Sequence, residues 1–494
     1  MELKVKFFKN WFAGVPVAML DTSTAVKIGV HTQERILIRT LGKNSKQIST
    51  IVDIVGKLVG DDEIVVSSEI KKILSLKVGE KVEISLTPAP VSMDYIKKKL
   101  NGTILKKEEI YEIVRDIVNN SLSESEIALF VSAMYEKGMN FKETIYLVKA
   151  ILETGNKLIL KSKYVVDKHC IGGVAGNRTT PLVVSICVAG GLIMPKSSSR
   201  AITSAAGTAD VIEMVANVDV NTKDLKKIIS RVGGFMVWGG GLGMVPADSK
   251  IIYIEKQLKI DPEAQLLASI MAKKLAMGAK YILIDIPYGR GAKVSRQNAL
   301  KVKKKFERLG KYFHKKMKVV LTDGSQPIGN GIGPALELID VVKVLDPNAI
   351  GPGDLEDKSV FLAGQIFELS GKVRKGQGEK FAREILKSGK AFKKFNEIVD
   401  AQGRVLKRIH LGEFKKDIFV KRTCIIEEID NKKINNMARV AGCPVDKYSG
   451  LYLHKHVGEK LMKGEKILTV YTDSKSRMKH ALKFYKKKKP VKFG

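Results

Sequence analysis

Long hydrophobic runs are missing from this chain. No stretch approaches the roughly 18 apolar residues of a membrane span, and the first apolar run, Trp11 to Leu20, is short and lies in ordinary folded sequence. No secretory leader pattern is read there either, so a cytoplasmic protein without membrane contact is expected. Cysteine is scarce: Cys170, Cys187, Cys424 and Cys443 lack metal-ligand spacing, which speaks against a zinc site or a disulfide framework and for free thiols. Aromatics make up 6% and do not interleave with the lysines, as the stacking platform of a single-strand binder would require. Two nucleotide-binding signatures also fail. GGGLGMVPAD (239–248) begins like a dinucleotide fingerprint but has Met244 and Val245 near its final glycine position, and no GxxxxGK[ST] occurs.

Acidic residues are outnumbered, 52 against 86 Lys and Arg, for a net charge of +34. Such a charge fits either nucleic-acid binding or a field that draws in small anions. The lysines are spread along the whole length, with runs only at Lys303–Lys305 and Lys486–Lys489. The tail KFYKKKKPVKFG therefore reads as a solvated, frayed terminus, and nucleic acid is not the expected partner.

What is present is a globular chain of 494 residues, 44% apolar and 28% charged, long enough for about three domains. The pattern is that of a multidomain α/β protein. Residues 1–86 form a small β-barrel-like domain, with strands expected at Leu3–Phe8, Ala25–Val30, Arg35–Arg39, Glu63–Val66 and Lys81–Leu86. A helical piece is expected at Glu69–Leu74, and His31 reads as a surface or hairpin residue. Thr87-Pro88-Ala89-Pro90 is a stiff linker. An all-α domain follows over 93–160, with a Ser123/Glu126 capping box; residues 247–277 are expected to return to it. Alternating β and α signals over 161–405 argue a mixed α/β domain with a mostly parallel sheet. A C-terminal α+β domain fills 406–494, where His454 and His456 alternate on a strand and, with no third ligand, are not a metal pair.

The chain is organised around Val166 to Asp210. A β-like run, Lys163–Val166, leads into a loop, Asp167–Thr180, with Lys168, His169, Cys170, Gly172, Gly173 and Gly176. A helix, Pro181–Ala189, and a strand, Leu192–Met194, lead to a second loop with Lys196, Ser197, Ser198, Ser199 and Arg200, then Thr203, Ser204, Gly207 and Thr208. One such loop is ordinary. Two, each with a cation and closing on glycine and threonine, suit an anion held by backbone N–H groups, hydroxyls and ammonium.

KHCIGGVAGN followed by KSSSRAITSAAGTAD resembles the nucleoside phosphorylases of the thymidine phosphorylase group, and SSRAITSAAGTADVIE resembles their archaeal AMP phosphorylase branch. The resemblance extends to LKKEEI…SLSESEIALFVSAMYEKGMNFKET in the helical part, TDGSQPIGNGIGPALEL at 322–338, and GLYLHKHVGEKLMKGEKILTVYT near the C-terminus. Anthranilate phosphoribosyltransferase resembles this fold too, but KHCIGG and the Asp261–Lys274 stretch follow the phosphorylase pattern. Read from its residues alone, Asp261-Pro262-Glu263 is a helix start, Asp261 the cap and Pro262 the first helical residue. Gln265, Ser269 and Lys273 follow at i, i+4, i+8, nearly one face.

The resemblance implies more. Lys168, Ser198 and Thr208 would bind phosphate, with Cys170 standing where the pyrimidine enzymes carry serine. Gly173, Ser199, Arg200, Ala201, Ile202, Thr203, Ser204, Thr208, Ser269 and Lys293 would bind AMP, and Lys273 would lie on the base side. Asp261 would be the general acid that protonates the leaving base, a role that requires its protonated form and is favoured by burial in a closed cleft. The upstream arginine of the pyrimidine enzymes is missing, for the region reads Ile254-Glu255-Lys256. The implied reaction turns AMP, with CMP or UMP as further substrates, and phosphate into free base and ribose 1,5-bisphosphate. It needs no metal or organic cofactor, phosphate being the co-substrate. A homo-oligomer, at least a dimer, and domain closure are implied by the same analogy. The readings set against it are a pyrimidine nucleoside phosphorylase and a basic RNA-binding protein on this scaffold.

Overall fold

The computed structural model describes residues 1–8, 16–201, 204–405 and 409–494. They form two compact units, Met1–Thr154 with Pro246–Ser269, and Gly155–Val245 with Ile270–Gly494.

In the first unit, strands Glu2–Lys6, Val17–Leu20, Arg35–Thr40, Gln47–Ile54, Glu63–Val66 and Lys81–Leu86 close into a barrel. Side chains alternate across a strand, so Leu3 and Val5, Ala18 and Leu20, Ile36 and Ile38, and Val82 and Ile84 fill one apolar core. The expected strand Ala25–Val30 is instead part of a helix, Thr22–Ile28. Its β-branched residues suggested a strand, but capping decides. Asp21 accepts the Ser23 N–H at 2.7 Å, and Gly29 ends the helix in the left-handed region. The strands Val17–Leu20 and Gln47–Ile54 carry no clean alternating signal and were not expected.

Helices Ser92–Leu100, Lys107–Val118, Glu124–Lys137 and Phe141–Glu153 follow, and Pro246–Leu258 lies in the same unit. Ser123 and Glu126 form the capping box, each backbone N–H bonded by the other's side chain at 2.7 and 3.3 Å. Lys99 and Glu143 pair at 2.8 Å fully buried, and Glu143 also accepts the Leu105 N–H. Lys250 donates to the carbonyls of Ile117 and Val118 at 2.7 and 2.9 Å, closing the end of Lys107–Val118. The helix Glu263–Ala276 contains the division between the units, at Ser269 and Ile270.

In the second unit, strands Lys316–Asp323, Tyr281–Tyr288 and Val166–Cys170 pair in parallel, as do Met194–Ser198 and Gly234–Trp238. A parallel bridge between Val165 and Ile193 joins the two sets. Both runs that were expected to end as polar loops prove to be strands for longer: Lys168, His169 and Cys170 belong to one, Lys196, Ser197 and Ser198 to the other. All five strands run the same way, so the loops that follow them emerge at one edge, where ligands of parallel sheets bind. Helices Thr179–Ala189 and Gly353–Ser370 cover the sheet.

The C-terminal part packs strands Phe414–Phe419, Cys424–Ile429, Gly450–Leu453 and Lys466–Thr472 with helices Asn431–Ala441 and Lys475–Lys488. The strand Gly331–Ile332 of the preceding α/β part pairs with Gly450–Leu453. The tail is not frayed, contrary to expectation. Lys475–Lys488 is a helix, and Val491–Phe493 pairs antiparallel with Cys424–Ile429, burying Val491.

Candidate active site

The edge at the ends of Val166–Cys170 and Met194–Ser198 is built over buried charge. Asp167 accepts from Lys274 at 2.7 Å and faces Lys196 at 3.6 Å, with all three side chains at most 5% exposed. Burial lowers the pKa of Lys274, and the Asp167 carboxylate opposes that shift. Lys168, the next residue, is also buried and donates to the hydroxyls of Thr179 and Thr180 at 2.7 and 3.4 Å. Burial lowers its pKa as well, against Cys170 and Asp285. His169 is pushed well below its ordinary value, first by burial and then by the surrounding lysines, so its imidazole is neutral. The Cys170 thiol is pushed up to about 11 by burial. Its sulfur accepts weakly from the Gly172 N–H and the Asn177 amide at 3.5 and 3.4 Å, contacts that a serine hydroxyl would make more strongly.

Glycine shapes the first loop where it meets its neighbour. Gly173 has φ +95°, and a Cβ there would lie 2.8 Å from the Lys293 backbone nitrogen. Two residues expected in one nucleotide site thus touch through their backbones. In the second loop Asp210 accepts the N–H groups of Ala201 and Gly207, both at 2.7 Å. A Cβ on Gly207 would fall 2.4 Å from the Ser199 carbonyl, so the loop closes only over glycine. Among the described residues Ser198 carries a buried hydroxyl without a hydrogen-bond partner, at the end of its strand, where an anion would satisfy it.

Other expected residues are placed differently. The Arg200 guanidinium is held by Glu213 at 2.8 and 2.6 Å and by Asp210 at 3.2 Å, over the Trp238 ring. Its charge is already matched by carboxylates, at a position where an AMP contact was expected. The Thr208 hydroxyl accepts from Arg178 at 3.0 Å. Ile202 and Thr203 lie outside the described residues. Lys273 lines a small cavity with Ser197, Leu242 and Met244, and the 3₁₀ turn Gly239–Leu242 forms part of its wall. Asp261 and Ser269 belong to the first unit. Asp261 is exposed, not buried as its expected acid role favours, and the helix is described from Glu263, with Pro262 accepting the Leu266 N–H at 2.9 Å. Proline thus sits one place earlier than expected, at the cap. Ser269 is buried on that helix, and Gln265 donates to Asp248 at 3.1 Å.

Several residues of the site escaped the sequence reading. Arg178 is buried and binds Glu337, the Ala206 carbonyl at 2.8 Å and Thr208, tying the first loop to the second. Asp285 accepts from Thr322 at 2.6 Å and faces Lys358 at 3.4 Å. Asp340 accepts the N–H groups of Asn330 and Gly331 at 2.7 and 2.6 Å and is pushed up to about 6 by burial. Arg178 sits between Gly176-Asn177 and Thr179-Thr180, a setting that could have flagged it; Lys358 and the acids carry no local signal. Among the described residues, no group of three His, Cys, Asp or Glu is placed to hold a metal, and no helix is long and apolar enough to cross a membrane.

Comparison with known proteins agrees along nearly the whole chain. Residues 93–155 and 162–392 match the helical bundle and a/b domains of a glycosyl transferase family, and 425–492 match a pyrimidine nucleoside phosphorylase C-terminal domain. An AMP phosphorylase of Pyrococcus furiosus is 43% identical over 443 residues, 89% of this chain and 88% of that protein. AMP phosphorylases of Methanococcoides burtonii and Thermococcus kodakarensis are 41% and 39% identical, each over 99% of this chain and 97% of the relative. Anthranilate phosphoribosyltransferase from Thermus thermophilus shares the fold at 21% identity with a TM-score of 0.52, covering 63% of this chain and 99% of its own.

Proposed function

Because the chain belongs to the AMP phosphorylase family, we propose that it catalyses the reversible phosphorolysis of AMP to adenine and ribose 1,5-bisphosphate. That kinship carries the reading, since it spans the barrel and the C-terminal strands as well as the α/β part. A pyrimidine nucleoside substrate is not favoured, because the relatives matched from end to end are AMP enzymes.

Phosphate, a dianion, is to be fixed beneath the ribose, where one of its oxygens forms a bond to the anomeric carbon as the carbon–nitrogen bond to the base breaks. Lys168, the buried hydroxyl of Ser198, and Thr208 position that nucleophile. Holding it in place is worth roughly 7–11 kcal/mol in favourable cases. The electron pair of the broken bond leaves on the base, and Asp261 supplies the proton that neutralises it, at N7 of a purine. Gly173, Ser199 to Ser204, Thr208, Ser269 and Lys293 contact the nucleotide. Arg200 and Lys293 are the cations assigned to the 5′-phosphate, Arg200 while also held by Glu213 and Asp210. Lys273 lies on the base side.

CMP and UMP are further substrates under this reading. No metal or organic cofactor takes part, and the enzyme works in the cytoplasm as a homo-oligomer of at least two chains. Four domains, 1–86, 93–160 with 247–277, 161–405 and 406–494, make up each chain.

The test is phosphate-dependent release of base from AMP, with adenosine and thymidine alongside. Adenine release from AMP alone is expected. Base release from thymidine but not from AMP would refute the reading.

A further inference from the structure

Both anion-loop candidates are fastened to one helix of the C-terminal part. Asn431 and Asn435 lie four residues apart on Asn431–Ala441 and so share a face. The Asn431 side-chain oxygen accepts the Ala175 N–H of the first loop at 2.9 Å, and its amide donates to the Gly324 carbonyl of a third loop at 2.9 Å. The Asn435 oxygen accepts the Ala205 N–H of the second loop at 2.8 Å. All of these bonds are buried, and Asn431 and Asn435 are 0% and 4% exposed. The methyl groups of Ala175 and Ala205 join the apolar core of the C-terminal part, with Ile429, Ile434 and Ala438. Each loop therefore enters that core at one alanine and is fixed there by one amide.

We infer that Asn431 and Asn435 are positioning residues of the phosphate site, holding the 171–178 and 199–207 loops at a set separation. Neither touches the reacting atoms. They act by fixing the backbone that carries the glycine N–H groups of one loop and the run from Ser199 of the other. A buried N–H that loses its acceptor is costly, so a loop deprived of its asparagine turns outward to water and its donors leave the anion. The inference rests on the phosphorolysis reading of those loops.

The experiment uses the full chain. Phosphate and AMP are titrated separately in the adenine-release assay, comparing wild type, Asn431→Ala and Asn435→Ala. A roughly tenfold rise in KM for phosphate is expected in each variant, the scale of one buried hydrogen bond, with kcat at saturating phosphate nearly kept. A merely structural role would lower the active fraction, and with it kcat, and leave KM for phosphate alone. An unchanged KM for phosphate in both variants overturns the assignment while the phosphorolysis reading stands. A wild-type chain that releases no adenine from AMP overturns the reading and the assignment together. Asn435→Asp keeps the accepting oxygen and covers the case in which the alanine variants do not fold. In hydrogen exchange its Ala205 amide is expected to stay protected, whereas Asn431→Asp, which loses the donor to Gly324, exchanges faster around 324–330. Equal exchange in both regions for the two variants overturns the assignment.

Discussion

Replacing Asp167 by asparagine should be among the most damaging single changes in the second unit. The carboxylate is fully buried between Lys274 at 2.7 Å and Lys196 at 3.6 Å, and it also accepts the Lys168 N–H at 2.7 Å. Asparagine keeps the shape and removes the charge, leaving two ammonium groups buried without a counter-ion. Breaking a buried pair by removing one partner costs about 3–5 kcal/mol. Lys274→Met is expected to cost less, about 2 kcal/mol, because Asp167 would still face Lys196 and the Lys168 N–H. Urea unfolding followed by circular dichroism measures both.

The pH dependence gives a second readout. Burial already holds Lys274 below its ordinary value of 10.5. Without the carboxylate that opposes this shift it falls further, so the unfolded chain binds the extra proton over a wider range below 10.5. Stability then rises with pH more steeply in Asp167→Asn than in wild type below about 7, where wild-type Lys274 still holds its proton, and the gap between them narrows as pH is raised from about 5 to about 7. If Asp167→Asn costs no more than Lys274→Met, or if the gap is independent of pH, the electrostatic account is refuted.

Other outcomes follow from the same structure. Asp261→Asn is expected to abolish turnover while AMP still binds in calorimetry; activity near wild type would leave Asp261 as a residue of the helix start. Gly173→Ala places a methyl group 2.8 Å from the Lys293 nitrogen at φ +95°, and a rise in KM for AMP of at least about tenfold is expected in steady-state kinetics. Lys250→Met removes the ammonium that closes the end of Lys107–Val118 and should lower stability by about 1–3 kcal/mol in urea unfolding near neutral pH. Burial pulls the Lys250 pKa down to about 8. The unfolded chain therefore holds the proton up to 10.5, and wild type gains stability relative to Lys250→Met as pH rises through that window.

The stretch on which the candidate site is built was singled out from the sequence, but the element types within it were not. Val166–Cys170 and Met194–Ser198 look like loops because Asp167, Lys168, Lys196 and Ser197 are polar. They are strands because distant partners satisfy those groups, Lys274 above all, 107 residues away from Asp167. Buried parallel strands have no wet face, so no alternating pattern marks them. Gly173 and Lys293 were both legible from motif resemblance, yet their backbone contact needs the pairing of two strands to bring it about. The two acids that hold Arg200 lie in the following helical turns, and a motif gives no sign of which way a side chain turns. Asn431 and Asn435 had no signal at all. They belong to a helix whose amphipathic spacing is ordinary, and their partners are 256 and 230 residues distant.

The two asparagines also bear on which insertions and deletions the chain can accept. Surface loops usually tolerate added residues, since closing a slightly longer loop costs little. Here Cys170 and Ser198 are held in strands, and Ala175 and Ala205 are bonded to one helix. Extra length between these anchors would shift the backbone groups that the anion reading relies on. Length variation among related chains should therefore gather elsewhere, and aligned gaps should avoid these two intervals even where the residues within them differ.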